Sequence, residues 1–250
     1  MQISPPFGYS EIVPLQKRWK VHVPASGEIP EFCRKSNAVP ISFSEFAVAC
    51  RDYPLAFIST EAGRTFSPVA VLGVTGGENL FLRDGRWESA VYFPAYLRRY
   101  PFCMARVTLN SVEQADRLIC VEKAFLSDAG ERMFDDTGAP LPCWLPIEKL
   151  LREYESDIEH AREMCAILSD YALLEPFTLQ ASLKGGTMNF GGMYRVDEKR
   201  LEVLNAAQHK TLIRKGIMGR IYAHLMSLDN FARLIARKEA MEPANRSARG

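Results

Sequence analysis

The most regular pattern of hydrophobic positions along the chain lies in residues 145–173. Apolar side chains recur there every three to four residues, at Ile147, Leu150, Leu151, Tyr154, Ile158, Ala161, Met164, Cys165 and Leu168. A stripe with this spacing forms one face of an amphipathic helix. The pattern therefore predicts one long helix in the second half of the chain.

A strand-rich block covers residues 50–127, before this helix. The segments LAFIST and FSPVAVLGV flank an EAGR turn, and Asp84 and Gly85 separate two apolar flanks in the manner of a β-hairpin. FCMARVTLN and RLICVEKAF read as two further strands. The block predicts an antiparallel sheet with a short helix at residues 94–100, and a further helix is expected before it, at residues 42–54.

The two ends of the chain differ in character. Six prolines among the first 40 residues predict an extended arm, with a short strand at residues 19–23. After the long helix, a second hairpin is expected to turn at Gly185 and Gly186. A helical region then covers residues 198–240, with a break or a close helix approach at Gly216 and Gly219.

These elements predict an α+β fold, in which an antiparallel sheet from the central strands packs with the long helix and the C-terminal helices. We expect a single domain over residues 1–240, with sub-lobes 1–140 and 141–240 as the alternative division. Residues 241–250 are expected to form a flexible tail.

Composition excludes several classes of function. The 31 basic and 30 acidic side chains leave a net charge of +1, which argues against a nucleic-acid partner. No apolar run approaches a membrane span, and the N-terminus has no visible cleavable signal, so we expect no membrane insertion and a cytoplasmic location. The six cysteines are widely spaced without a CxxC pair, as is typical of buried free thiols.

No catalytic or cofactor motif stands in the chain. Neither GxSxG, GK[ST] nor GxGxxG is present, and the histidines are scattered. FDDTG is interpreted as a turn and not as a calcium loop, because it lacks the later ligands. GVTGGENL could cradle an anion with backbone amides, but a glycine turn is favoured. We therefore expect no metal and no cofactor, and the sequence does not indicate an enzyme.

One segment concentrates candidate binding chemistry: VYFPAYLRRYPF, residues 91–102. Neighbours on a helix diverge by about a hundred degrees, so Arg98 and Arg99 cannot both face the core. We expect one to be exposed and the other to pair with a carboxylate such as Glu78 or Glu88. Guanidinium forks and aromatic faces suit an anion, a sugar derivative or a peptide. The alternative is a proline-bounded helix that closes one end of the sheet.

The central block, from YPLAFIST to VYFPAYLRRYPF, resembles the SapC-like family of bacterial proteins. The segments MFDDTGAP, LLEPFTLQ, GGMYRVDEKRLEVL and IYAHLMSLDNF match its pattern too, so that the resemblance covers residues 12–231. Phe93 departs from the valine or isoleucine that is usual there. The strongest matches are Glu78, Asn79, Trp87, Pro94, Tyr96, Arg98, Arg99, Tyr100 and Pro101.

The resemblance implies a setting and no catalytic role. The family is named from surface-layer (S-layer) loci, and relatives accompany genes for outer-membrane nutrient receptors and for flavin-dependent halogenase-like enzymes. It has no established catalytic mechanism to carry over to residues of this chain.

Three hypotheses follow. In the first, the protein is a non-enzymatic binding or accessory protein of a bacterial cell-surface or outer-membrane nutrient-uptake system. It would bind an anionic or glycan-like ligand, or a protein partner, through Glu78, Asn79, Trp87, Tyr92, Tyr96, Arg98, Arg99 and Tyr100. In the second, it is an enzyme of unrecognised type, acting on a peptide or amino-acid derivative with a flavoenzyme partner. In the third, it is a lattice subunit that assembles as a homo-oligomer through its aromatic surface.

Overall fold

The computed structural model describes residues 2–25, 27–59, 63–109, 112–113, 117–183 and 186–247. The strands are β1 Gln2–Ile3, β2 Ile12–Pro14, β3 Lys20–Val21, β4 Ala38–Pro40, β5 Leu55–Ser59, β6 Phe66–Val71, β7 Leu82–Arg83, β8 Arg86–Trp87, β9 Phe102–Ala105, β10 Val107–Leu109, β11 Val112–Glu113, β12 Leu118–Glu122, β13 Glu131–Arg132, β14 Leu174–Leu183 and β15 Gly186–Val196. The helices are α1 Glu31–Arg34, α2 Phe46–Ala49, α3 Ala95–Arg98, α4 Trp144–Asp170, α5 Glu198–Glu202, α6 Ala206–Arg214, α7 Ile217–Ser227 and α8 Asn230–Ser247. Helices and antiparallel sheets are mixed, so the predicted α+β class is confirmed.

The main sheet has five antiparallel strands in the order β14–β15–β5–β6–β4. The predicted β5–β6 hairpin is confirmed, with Leu55 opposite Ala70 and Ser59 opposite Phe66. Part of its EAGR turn, residues 61 and 62, lies outside the described residues, as does Gly185 in the turn between β14 and β15. Because β14 and β15 pair beside β5, this sheet combines strands from both sides of residue 140.

The central block does not form one sheet, as the sequence predicted. β12 pairs with β2 on one side and β9 on the other in a separate three-stranded sheet, and the β7–β8 hairpin stands apart. The central strands pair instead with β2, β4 and β15, which lie outside the block in the sequence. The local alternation of apolar and polar residues does not indicate such distant partners. The predicted hairpin turn is confirmed, since Asp84 and Gly85 both have positive φ, at 49° and 75°.

Helix α4 confirms the long helix. Its inward residues lie one or two turns apart and are buried, namely Leu151, Tyr154, Ala161, Met164, Cys165 and Leu168. This face packs against β6. The helix ends in a Schellman motif, in which Leu173 N–H donates to the Leu168 carbonyl and Ala172 N–H to that of Ser169. Ala172 has φ +51° at the position that glycine usually occupies.

The predicted C-terminal helical region is divided into α5, α6, α7 and α8. Asn205 and Gln208 form a reciprocal capping box that begins α6. The predicted break at Gly216 is confirmed by its φ of +69°, whereas Gly219 lies inside α7. Helix α8 extends into the segment predicted to be a tail, because adding a residue to a formed helix is easier than starting one. None of the helices within the described residues is long and apolar enough to cross a membrane.

Several smaller expectations also needed correction. The short strand predicted at residues 19–23 is confined to β3, and the helix predicted at residues 42–54 to the single turn of α2. The cysteines of the described residues are free thiols, as expected, but Cys143 is exposed and Cys50 only partly buried. The wide spacing of the cysteines predicted free thiols, but it did not predict which of these thiols are buried.

His224 on α7 is completely buried between the main sheet and the C-terminal helices. Its Nδ1 lies 2.8 Å from the carbonyl oxygen of Leu55, and its Nε2 accepts from Val196 N–H at 3.1 Å. Since a carbonyl only accepts, Nδ1 carries the proton and Nε2 does not. Both ring nitrogens are therefore satisfied in the neutral form.

Candidate functional site

Helix α3 holds the two adjacent arginines on opposite sides. Arg98 donates to the hydroxyl of Tyr92 at 3.1 Å at the surface, whereas Arg99 is only 4% exposed. The predicted divergence is therefore confirmed. The predicted partner is wrong, because Arg99 faces Glu155 of α4 at 3.6 Å. The two carboxylates suggested by the sequence are paired elsewhere, Glu78 with Lys238 and Glu88 with Arg237.

Three tyrosine rings surround the Arg99 guanidinium group. Its central carbon lies 4.4 Å from the ring centroid of Tyr96, 4.6 Å from that of Tyr154 and 5.7 Å from that of Tyr9. Such cation–π contacts stabilise a cation that has lost its water. The Nε–H of Arg99 nevertheless has no hydrogen-bond acceptor among the described residues. A buried donor without a partner costs about 1–3 kcal/mol, and more when it is charged.

Arg99 belongs to a network of guanidinium and carboxylate groups along α4. Arg117 is paired with both Glu155 and Glu159, which lie one helical turn apart. Glu159 also faces Arg162 at 2.5 Å and Arg106 at 3.6 Å. Among the described residues, Glu155 therefore pairs with Arg99 and Arg117, and Glu159 pairs with Arg106, Arg117 and Arg162.

The electrostatics of Arg117 reflect its burial and its charged neighbours. Its burial, together with the neighbouring cations Arg106 and Arg162, lowers the pKa of Arg117 below the usual value, although Glu159 acts in the opposite direction. An anion beside Arg117 would reduce that repulsion. The guanidinium groups stay protonated at neutral pH, so the network can bind an anion but cannot shuttle protons.

The network forms one wall of a cavity of about 580 Å³. This volume is within the range of about 300–1,000 Å³ that is typical of small-molecule sites. Tyr96 comes from α3, Arg99 is the residue that caps this helix, and Glu155 comes from α4. Its lining also includes the apolar residues Pro6, Phe7, Pro40, Ile41, Phe66, Pro68 and Ile158. We call this space the arginine cavity.

Glu78 fills the glycine turn that could have held an anion. Its carboxylate accepts from the backbone N–H groups of Val74 at 2.9 Å and Thr75 at 2.7 Å. The chain turns at Gly77 with φ +81°. The interpretation of GVTGGENL as a turn is therefore confirmed, because the protein's own side chain occupies the amides.

Asn79, Trp87 and Tyr100 make contacts within the protein. The Asn79 side-chain amide donates to the carbonyl of Cys33 at 3.0 Å, and the buried Trp87 indole donates to that of Tyr92 at 3.2 Å. Tyr100 packs with its ring centroid 5.0 Å from that of Tyr9. The structure gives these three residues contacts that support the local fold.

The eight candidate residues therefore do not form one surface. Tyr96 and Arg99 line the arginine cavity, and Tyr92 and Arg98 line a neighbouring space beside Glu45. The buried Glu45 carboxylate holds this region together, accepting from the Tyr92 hydroxyl and from the N–H of Ala95. Residues 91–102 looked like one binding patch, but they contribute to two separate spaces on different sides of α3.

Sequence reasoning did not find the other members of the site, which are Tyr9, Arg106, Arg117, Tyr154, Glu155, Glu159 and Arg162. The α4 members had a signal: Glu155, Glu159 and Arg162 lie three to four residues apart on the polar side of the helix. Nothing local connects Arg117 to them, since it precedes α4 by 27 residues. Within the described residues, no group of three or more metal-binding side chains is present.

Fold and site together define a class: an α+β protein with a cavity lined by arginine and tyrosine, built across a long helix and the end of a sheet. The sequence model of the SapC family matches residues 17–234, nearly the whole chain, and the protein belongs to this family. The match includes α3, Arg117 and α4, whereas Phe7 and Tyr9 precede it. No curated protein and no solved structure matches the chain.

Proposed function

We propose that this SapC family member is a non-enzymatic binding protein that takes an anionic ligand in the arginine cavity. The observation that carries the proposal is the buried Arg99 guanidinium group, which lines this cavity and whose Nε–H has no acceptor in the part of the chain that the structure describes. A carboxylate or phosphate oxygen is the acceptor that a guanidinium fork binds best. The ligand would complete the coordination of Arg99, to which Glu155 already contributes.

The other arginines are placed to receive the same anion. The Arg117 side chain is 18% exposed and that of Arg162 49%, so both remain reachable from solvent. An incoming anion would be attracted at the surface by these groups and held inside by Arg99. This arrangement of cations around one space favours the binding of an anion.

The cellular setting of the proposal comes from the family. Accessory roles in S-layer or outer-membrane nutrient-uptake systems are what the resemblance implies, and a ligand-binding accessory protein fits either. We propose the anion as the primary partner, and a protein partner or self-assembly as the outcome to be distinguished by experiment.

The first experiment is native mass spectrometry of the protein purified gently from its bacterial host. A retained small mass supports the proposal, whereas a retained protein or homo-oligomers alone would make the cavity region an interface. Calorimetric titration with inorganic phosphate at low ionic strength follows, because salt screens exposed charges.

The matched variants are Arg117→Gln and Arg152→Gln. Arg152 lies on α4 and is paired with Glu148, and it does not line the arginine cavity. Losing a charge-assisted hydrogen bond of about 1.5–3 kcal/mol predicts phosphate binding that is roughly 10- to 100-fold weaker in Arg117→Gln. Arg152→Gln should bind as the parent does. Equal affinity in all three proteins would overturn the proposal.

A further inference from the structure

A second cavity adjoins the arginine cavity. It has a volume of about 680 Å³ and lies on one face of the main sheet. The two cavities share Phe7, Pro40 and Ser67 in their walls. We call the second space the apolar trough, because aliphatic and aromatic side chains form most of its surface. A molecule that occupies the arginine cavity can therefore extend directly into it.

The strand register shows why the trough is continuous. Val71 lies opposite Ala38 of β4, and Val69 lies opposite Pro40. Cross-strand partners point to the same side of a sheet, so these four side chains share one face. The same face continues across β5 and β15, where Ser67 lies opposite Ile58 and Ile58 opposite Met193.

Phe7 stands where the two cavities meet. It is 56% exposed, which is unusual for a phenylalanine, and its ring contacts Phe32 with centroids 5.6 Å apart. The Tyr96 hydroxyl donates to its carbonyl oxygen, so the arm that carries Phe7 is tied to the same tyrosine that stacks on Arg99. Tyr96 therefore connects the arginine cavity with the arm that places Phe7 beside the apolar trough.

We infer that the ligand is an amphipathic anion, specifically a free carboxylic acid with an unbranched apolar chain. Its carboxylate binds at Arg99 and Arg117, and its chain passes Phe7 and Pro40 to lie over Val69 and Val71. This inference rests on the proposed function and adds the chemical class of the ligand. A small inorganic anion would leave the trough and Phe7 in water, whereas an acyl chain covers both.

The test is a chain-length series of acetate, hexanoate and decanoate, titrated calorimetrically below the concentrations at which micelles form. Each methylene that enters the trough should lower the Kd about fourfold, as expected for one buried CH₂. Decanoate should then bind up to about 200-fold more tightly than hexanoate. Arg117→Gln should weaken decanoate binding by roughly the factor that it weakens phosphate binding.

Two variants test the trough itself. Ala38→Phe fills the trough from the edge strand β4. Met193→Gln makes the far wall of the trough polar at nearly constant volume, and it provides a second test if Ala38→Phe does not fold. Met226→Gln is the matched control, since Met226 is 73% exposed on α7 and does not line the trough. Both trough variants should reduce the gain per methylene and leave phosphate binding unchanged, and the control should retain the parent's series.

The outcomes separate the two proposals. Phosphate binding that depends on Arg117, together with equal affinities along the acid series, overturns the amphipathic ligand and leaves the anion site intact. A chain-length gain that persists in both trough variants overturns the placement of the chain. Decanoate binding that Arg117→Gln does not weaken overturns the anion site, and absence of binding by every probe overturns both.

Discussion

The buried His224 should make the stability of this protein depend on pH. Burial is the main cause that lowers the pKa of its imidazole from 6.5 to about 4, with a smaller contribution from Arg195, and the hydrogen bond to Leu55 acts in the opposite direction. The unfolded chain therefore binds a proton near pH 6.5, whereas the folded protein does so only near pH 4. The stabilisation is complete above pH 6.5 and is lost as the pH falls towards 4.

The size of the effect follows from the difference in pKa. A shift from 6.5 to about 4 corresponds to a full loss of about 3 kcal/mol in the free energy of unfolding. Between pH 7.5 and pH 5, the expected loss from this one group is about 2 kcal/mol. That is a substantial fraction of the about 5–15 kcal/mol by which domains are stable.

The assay is urea unfolding at both pH values, followed by the fluorescence of Trp87 and Trp144, which are buried. In His224→Gln, an amide can still donate to Leu55 and accept from Val196 but does not titrate, so this variant should lose about 2 kcal/mol less than the parent on acidification. His160→Gln, at an exposed position of α4, is the control and should behave as the parent. The same loss in His224→Gln as in the parent would refute the reasoning, because carboxylates are common to both proteins.

Three further predictions concern the backbone and the thiols. Gly8→Ala should destabilise the protein by about 1–3 kcal/mol in urea unfolding, because Gly8 has φ +81° and an added Cβ would clash with the Phe32 ring. Gly76→Ala is the control and should change the stability by less than about 0.5 kcal/mol, because Gly76 lies in open space. Similar losses of stability in both variants would contradict the strain argument. Ala172→Gly should stabilise the protein by about 0.5–1 kcal/mol by relieving the left-handed conformation at the end of α4, and an unchanged or lower midpoint would count against it. A thiol reagent should modify Cys143 first in the native protein, because Cys143 is exposed, whereas burial raises the pKa of Cys33, Cys103 and Cys165 to about 12. A fast phase of modification that remains in Cys143→Ser would contradict this prediction.

The parts of the fold that the sequence predicts are those fixed by short-range patterns. Helix α4 is an example, since its apolar stripe is a property of consecutive turns. The Asp84–Gly85 turn is another, because positive φ at both positions is a local demand. The opposite directions of Arg98 and Arg99 follow in the same way from helix geometry alone.

Short-range patterns predict only part of the candidate site. Arg99 was named as a candidate, but its carboxylate partner Glu155 lies 56 residues further along the chain, and Arg117 is the residue just before β12. Long-range pairing of this kind depends on how sheets and helices pack, which leaves no mark on spacing. The density of rings in residues 91–102 suggested one binding patch, whereas Tyr96 is buried and stacks with Tyr154 on the Arg99 cation.

The pairing of β5 with β15 has a consequence for how the protein is made. The first hairpin of the main sheet is complete when residue 71 has been synthesised, yet the neighbour of β5 ends only at Val196. Until then, one side of β5 carries backbone groups without a strand beside them, and unpaired edges of this kind invite association with other chains. Contacts between such distant segments also form slowly. Nascent chains that stop before β14 should therefore need protection by chaperones, and fragments that end near residue 173 should aggregate where the full chain does not.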